Sequence, residues 1–357
     1  MNKKVVIHGK DLITFCKECL MYYGMSDINA DITARALVQT DMWGTHSHGT
    51  KNLYNYIQKT LVGAASLTAE ITEIMRLPSV AILDANHSLG YVPSTVAMNL
   101  ACDMAEENGI GMTFVKNSCH FGAAACYANI AAERGMVGCA MSNVDKKMTI
   151  PGAKGVVMGQ NPIAFGAPYP SKETPSILLD ISTSNVAMLK ILQAKKDGKQ
   201  IPCDWISDKD GIPTNDPSRY PDEGALLPMG QHKGYGIAVF IEILTSIITG
   251  GPTSMSGDVV SWCFELASPN NVSHSFIAIN SSKICGEGVA EERIKQMADT
   301  LRSAPKATGT EALYVPGEIE WNKYNQALNN GLVLPQDVLD ELIKLSNATG
   351  ISLPIAN

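Results

Sequence analysis

Between residues 80 and 143 the chain alternates short apolar runs with small-residue stretches closed by glycine, and this rhythm restricts the fold more than any other feature. VAILDA (80–85), IGMTFVKN (110–117) and MVGCAMSN (136–143) read as strands. Between them, STVAMNLACDMAEENG ends at Gly109 and FGAAACYANIAAERG at Gly135, and both read as helices with a glycine stop. SILLDIS (176–182) and SFIAIN (275–280) are two further apolar strand candidates. Strands alternating with helices predict an α/β fold with a mixed or partly parallel sheet covered by helices.

The two ends of the chain differ from this middle. Residues 10–62 carry helical spacing, with Ser26 as a capping candidate and Gly24 and Gly44 as stops, and helical spacing returns from EIEWNKYNQALNNG to the C-terminus. The expected organisation is therefore a mainly helical layer from 1–76 and 320–357 and a mixed-sheet region from 77–319. GIAVFIEILTSIITG (236–250) is the most apolar stretch, but it is short for a bilayer span and carries Glu242, which predicts a buried helix.

Charge and cysteine use narrow the class. The net charge is -7 and no Lys/Arg cluster stands out beyond QAKKDGKQ (193–200), which reads as a solvated turn, so a nucleic-acid partner is not expected. No signal peptide is evident in residues 1–20. Cys16 and Cys19 form one C-x-x-C without a second pair to complete a zinc site, and helical spacing explains them more simply. Free thiols point to a reducing compartment, and the expectation is a soluble cytoplasmic protein.

No G-x-G-x-x-G follows a strand and no G-x-x-x-x-G-K-[ST] occurs, so any nucleotide must be held outside the Rossmann and P-loop solutions. What remains is a set of polar knots. THSHGT (45–50) places His46 and His48 in a junction between two helices. A metal there lacks further ligands, whereas imidazole titrates near neutrality and suits proton transfer. NSCHFGAAA sets His120 between a strand and a helix, where it can serve an anion site or merely cap the helix. LLDISTS places Asp180 at a strand end, to orient an imidazole or a ribose or to cap a helix. MGQHKGYG puts His232 and Lys233 between glycines, as a phosphate contact or a solvated loop.

Taken in order, GTHSHGTKNLYNYI, KNSCHFGAAACYANIAAERGMVGCAMSNV, GQNPIAFGAP, LLDISTS, LLPMGQHKGYGIAVFIEIL and YVPGE resemble the malate/L-lactate dehydrogenase family of the second kind, from about residue 10 to the C-terminus. The resemblance implies a non-Rossmann, NAD- or NADP-dependent enzyme, usually a homodimer, with its cofactor part at about 118–233. It makes His48, with Ser47 beside it, and His120 the two candidate proton donors/acceptors, and puts Asp180 near the cofactor or in a relay to the histidine. By the same matching Val144, Ile181, Ser182, His232, Lys233, Gly317 and Glu318 are expected cofactor contacts, and His46 is left structural. The implied reaction passes a hydride between nicotinamide C4 and C2 of a small 2-hydroxy/2-oxo acid.

One departure stands out. Many members read S-H-G-x-x-R, and the arginine forks onto a substrate carboxylate. Here that position is Asn52, preceded by Lys51, which leaves room for an amide-bearing substrate such as ureidoglycolate and makes Lys51 and Asn52 the expected substrate contacts. A metal-dependent hydrolase or a non-catalytic protein on the same fold is the rival reading. A chelator, or tolerance of His48→Ala and His120→Ala, tells them apart.

Overall fold

A computed structural model describes residues 5–168 and 176–355. The N-terminal part is helical, as its spacing predicts. Strand β1 (Val6–Ile7) leads into helix α1 (Gly9–Tyr22), whose buried residues Leu12, Phe15, Cys16, Cys19 and Leu20 recur at helical intervals. Helix α2 (Asp27–Met42) starts at Ser26, whose hydroxyl accepts the Asn29 N–H. After the junction 45–50 and a 3-10 turn at Thr50–Asn52, α3 (Leu53–Leu61) follows.

The sheet region comes next. It runs through β2 (Thr72–Leu77), β3 (Val80–Asp84), α4 (Tyr91–Asn108), β4 (Ile110–Ser118), α5 (Ala125–Glu133) and β5 (Val137–Ser142). Short strands β6 (Lys146–Met148) and β7 (Met158–Gly159) precede β8 (Ile163–Ala167), β9 (Ile177–Ile181) and α6 (Met188–Lys196). Then come β10 (Ile206–Ser207), β11 (Pro213–Thr214), β12 (Ala225–Leu226), α7 (His232–Glu242) with a π turn at Ile243–Ile247, and β13 (Val272–Ile279). The chain closes with α8 (Ser281–Cys285), α9 (Val289–Arg302), α10 (Glu318–Asn330), β14 (Leu332–Val333) and α11 (Gln336–Thr349).

These strands form a mixed α/β architecture. The main sheet has seven strands in the order β2-β3-β4-β13-β5-β8-β9, and only β3 and β4 run parallel. Its central strand β13 is the last of the seven in sequence, and it slots between β4 and β5 in antiparallel register with both. Helices α4 and α5 lie very close to the strands. A Cβ on Gly111 would stand 2.0 Å from the Ala101 carbonyl of α4, and one on Gly138 would stand 2.6 Å from the Ala128 carbonyl of α5. Small residues on both partners explain the contact, since helix backbone can then rest on strand backbone.

A second, five-stranded sheet of order β11-β10-β12-β6-β7 has its own core around Met148, Ile191, Ile206 and Leu226. None of its strands exceeds three residues, too short for a periodic signal in the sequence. The two chain ends meet: β1 pairs antiparallel with β14 through Val6↔Val333 and Ile7↔Leu332. The apolar stretch 236–250 departs from the expected buried helix. It buries Ala238, Ile241 and Glu242 but leaves Phe240, Ile243 and Ile247 about half exposed, so only one face is packed.

Candidate active site

The junction THSHGT wraps around a buried carboxylate. Asp41, in the last turn of α2, receives His46 Nδ1 at 2.9 Å on one oxygen, and the Thr50 backbone N–H and hydroxyl at 2.8 and 2.6 Å on the other. Asn52 closes the same turn by donating its amide to the Ser47 carbonyl at 2.8 Å. Lys51 reaches the other way and pairs with Asp337 of α11 at 2.6 Å. A Cβ on Gly49 would stand 2.2 Å from Asp41 Oδ1, so this glycine admits the Asp41 carboxylate and not a substrate. Gly49→Ala is accordingly expected to cost about 1–3 kcal/mol as an overpacking defect. Denaturant midpoints of the variant and the parent check it, and equal midpoints would remove Asp41 as the organiser of the turn.

The turn delivers His48 to a second histidine. The His48 and His120 rings lie 5.5 Å apart between centroids, with 35° between their planes. His48 Nδ1 is 2.8 Å from the Ser47 hydroxyl. His120 Nδ1 lies 2.6 Å from the Tyr56 hydroxyl of α3 and accepts the Gly122 backbone N–H at 3.4 Å. A backbone N–H can only donate, so Nδ1 is the acceptor and the ring carries its proton on Nε2. Tyr91 donates to Tyr56 at 3.3 Å, Trp262 stacks on His120 at 4.6 Å, and the His120 N–H donates to Asn270 Oδ1 at 2.8 Å.

Both rings are held neutral. Both residues are half-buried, yet their rings sit deep enough that burial is the leading cause of lowered basicity. It brings His48 down to about 4, with the Lys147 ammonium adding to the effect. His120 falls well below the ordinary imidazole value through burial, then His48 and Lys147. Lys147 itself pairs with Asp145 at 3.2 Å, and both side chains are largely buried. Beneath the pair lies His274, fully buried, stacked on Phe121 at 4.4 Å and hydrogen-bonded to the Ser142 and Ser118 hydroxyls, each at 2.9 Å.

The residues expected around a cofactor gather on a neighbouring wall. Met229 donates its N–H to the Thr183 carbonyl at 2.9 Å, which sets the segment after β9 against the turn that opens α7. His232 and Lys233 are exposed at the start of that helix, while the Thr183 hydroxyl is buried without a partner. Asn161 accepts the Val144 N–H at 3.1 Å, and Gln160 accepts the Thr183 N–H at 3.1 Å, which joins Val144 to the same wall. A cation, a helix N-terminus and a buried hydroxyl without a partner fit an anionic dinucleotide.

Asp180 caps α5, since its carboxylate accepts the Ala125 N–H at 2.8 Å. The helix it caps comes before it in the chain, not after, and no described hydrogen bond joins Asp180 to either histidine. Crowding raises its pKa to about 6 against the backbone N–H groups of Ala125 and Ala124, although the residue keeps an open side. Gly317 must be glycine, because its φ is +94° and a Cβ would meet Leu178 backbone at 2.9 Å. Glu318 is engaged by Arg302 and by the Val315 N–H.

The expected residues thus form two groups, Ser47–His48–His120 and the wall from Val144 through Asp180, Ile181 and Ser182 to Lys233. Lys51 and Glu318 are instead engaged in ion pairs. Tyr56, Lys147, Trp262 and Asn270 escape a sequence reading. Tyr56 lies within the quoted motif and Lys147 three residues past Val144, so position was a usable signal. Trp262 and Asn270 lie in an irregular loop with no pattern. Among the described residues no group of three His, Cys, Asp or Glu is placed to hold a metal ion, and no helix is long and apolar enough to cross a membrane.

Comparison with known proteins decides the family. The model of the malate/L-lactate dehydrogenases matches residues 7–343. The chain belongs to that dehydrogenase family. It is 32% identical to a malate dehydrogenase of Pyrococcus horikoshii over 95% of this chain and 94% of the relative. The solved structure of the Pyrococcus horikoshii malate dehydrogenase superposes with a TM-score of 0.88, covering 98% of this chain and 97% of that one at 30% identity. A ureidoglycolate dehydrogenase (NAD(+)) of Escherichia coli is 29% identical over 90% of each chain. A (2R)-3-sulfolactate dehydrogenase (NADP(+)) of Chromohalobacter salexigens is 33% identical over 69% of this chain and 72% of the relative. Malate/L-lactate dehydrogenase family membership makes this chain an oxidoreductase on a non-Rossmann sheet.

Proposed function

We propose that the protein interconverts a small 2-hydroxy acid and the corresponding 2-oxo acid with NAD or NADP, and that His48 exchanges the proton while His120 steadies the reacting oxygen. The observation that carries this reading is the histidine pair 5.5 Å apart with Ser47 and Tyr56 on the outer ring nitrogens. The cofactor, when bound, supplies the hydride acceptor or donor at the nicotinamide C4. Val144, Asp180, Ile181, Ser182, His232 and Lys233 would hold it, with Gly317 and Glu318 supporting β9 from outside.

The chain's own work is proton transfer and positioning. With Ser47 accepting from His48 Nδ1–H, the His48 Nε2 lone pair is free to take the hydroxyl proton of the 2-hydroxy acid. In the reverse direction His48 must first be protonated. An anionic substrate beside Lys147 offsets that ammonium and lifts the imidazole back toward neutral pH. His120, protonated on Nε2, donates to the same oxygen and stabilises charge developing on it. Lys147, whose charge is felt by both rings, would receive the carboxylate beside its Asp145 partner, whereas Lys51 reaches away to Asp337 and Asn52 serves the Ser47 carbonyl.

We further place the enzyme in the cytoplasm as a homodimer. The half-exposed Phe240, Ile243 and Ile247 support association of two copies. The test mixes the protein with NADH or NADPH and follows nicotinamide absorbance across oxaloacetate, pyruvate and oxalurate. Oxidation with at least one acid is expected, together with a cofactor-induced rise in melting temperature. No oxidation and no rise would overturn the reading.

A further inference from the structure

Lys59 is the least expected residue in the helical layer. It lies on α3 and is fully buried, and a buried lysine ordinarily answers a carboxylate. Here its ammonium donates instead to two backbone carbonyls, Glu265 O at 2.8 Å and Ser268 O at 2.5 Å. Both belong to the irregular segment between the π turn and β13, which contains neither helix nor strand from residue 251 to residue 271.

That segment is what surrounds His120. Trp262 lies on the His120 ring at 4.6 Å with 15° between planes, and on Tyr56 at 4.9 Å with 28°. Asn270 accepts the His120 N–H at 2.8 Å and donates its amide to the Val260 carbonyl, which closes the loop on itself. Tyr56 and Lys59 are three residues apart on α3, so they project from one helix face. Helix α3 therefore reaches His120 twice, directly through the Tyr56 hydroxyl and indirectly through the loop that Lys59 holds. The ends of the loop are tied by Ser254 to Glu242, by Asn143 to the Pro252 carbonyl and by Asn270 to Val260. Across 261–268 the described hydrogen bonds to the rest of the fold are the two from Lys59, and charge-assisted bonds of this kind are strong ones.

We propose that Lys59 is a positioning residue of this enzyme: its ammonium clamps the 261–268 loop so that Trp262 stays stacked on His120. The proposal rests on the reading of the histidine pair as the reacting site. Without the clamp the stack loosens and His120 loses the wall that aims Nε2–H. Misplacement of this kind is worth up to about 10²-fold in rate.

The experiment is a double-mutant cycle on the full-length enzyme with the cofactor and 2-oxo acid that the parent turns over. Lys59→Met removes the donors at similar length, Trp262→Phe removes the indole, and both are combined. Lys59→Met is expected to lower kcat by about 10–100-fold with cofactor Kd unchanged, and to raise acrylamide quenching only where Trp262 is present. In the Trp262→Phe background it should add little further loss, because the two act through one contact. Lys59→Gln keeps a neutral amide NH₂ as donor and should show a smaller loss; it serves if Lys59→Met does not fold. Parent-like kcat and quenching in either Lys59 variant, or losses that multiply with Trp262→Phe, would overturn the proposal. A parent inactive on every acid would overturn the reading of the site instead.

Discussion

His48→Gln lowers kcat by about 10²–10⁴-fold, the usual worth of a positioned proton donor/acceptor, and leaves cofactor affinity at the parent value. The prediction follows from where the residue sits. Its Nδ1 is tied to Ser47 and its Nε2 is the remaining exchangeable nitrogen of that ring. Glutamine keeps a polar group of similar reach but has no basic nitrogen. His120→Gln should behave differently. Its Nδ1 is already the acceptor of two donors, so the ring enters the reaction as a neutral hydrogen-bond donor. An amide N–H replaces part of that, and the loss should be nearer 10–10²-fold, below the roughly 10²–10³ for deleting a transition-state donor outright. The discriminating measurement is the pH dependence of kcat for both variants. His48→Gln should lose the ionisation that His120→Gln retains. If the two profiles come out exchanged, the roles assigned to the two rings are exchanged with them.

Acid should destabilise the protein steeply, and the sign comes from the same three buried imidazoles. Burial brings His48 to about 4 and His274 to about 3, and pushes His120 well down. In the unfolded chain each titrates near 6.5. As pH falls below that value the unfolded state takes up protons that the folded state refuses. Stability is therefore complete above about pH 6.5 and is lost progressively toward the folded values. One imidazole contributes up to about 1.4 kcal/mol per pH unit. Asp180 works the other way, because its raised pKa lets the folded state protonate first, but its open side weakens that offset. The net expectation is a loss of about 2–3 kcal/mol per unit between roughly pH 6 and pH 5. Urea midpoints at those two values test it, and His274→Gln should flatten the slope by one imidazole's share. A midpoint that does not move with pH would mean that the folded state takes up as many protons as the unfolded chain over this interval, so that these rings are not held neutral.

Much of the frame was written in local pattern. The strands at 80–85, 110–117 and 136–143, the two intervening helices and the Ser26 cap lie where alternation and glycine stops put them, because those signals act within a few residues. The ordered motifs carried the family, since Ser47, His48 and His120 are recognisable by neighbours along the chain. Strand 272–279 was visible as an apolar run, but nothing local says that it inserts between two strands more than a hundred residues earlier. Nothing in the residues around Gly49 says what lies against it. Only the fold shows the Asp41 carboxylate in that space.

The same division runs through the site. Residue type and order determined which side chains are candidates for proton transfer and that neither G-x-G-x-x-G after a strand nor G-x-x-x-x-G-K-[ST] is present. Tertiary structure decided that Asn52 serves the Ser47 carbonyl, that Lys51 answers Asp337, and that Trp262 stacks on His120 from a loop without periodicity, which Lys59 of α3 holds. The physical reason is range. Propensity, capping and apolar spacing are set by neighbours a turn away, whereas burial, pKa and the choice of hydrogen-bond partner depend on what distant segments bring into contact.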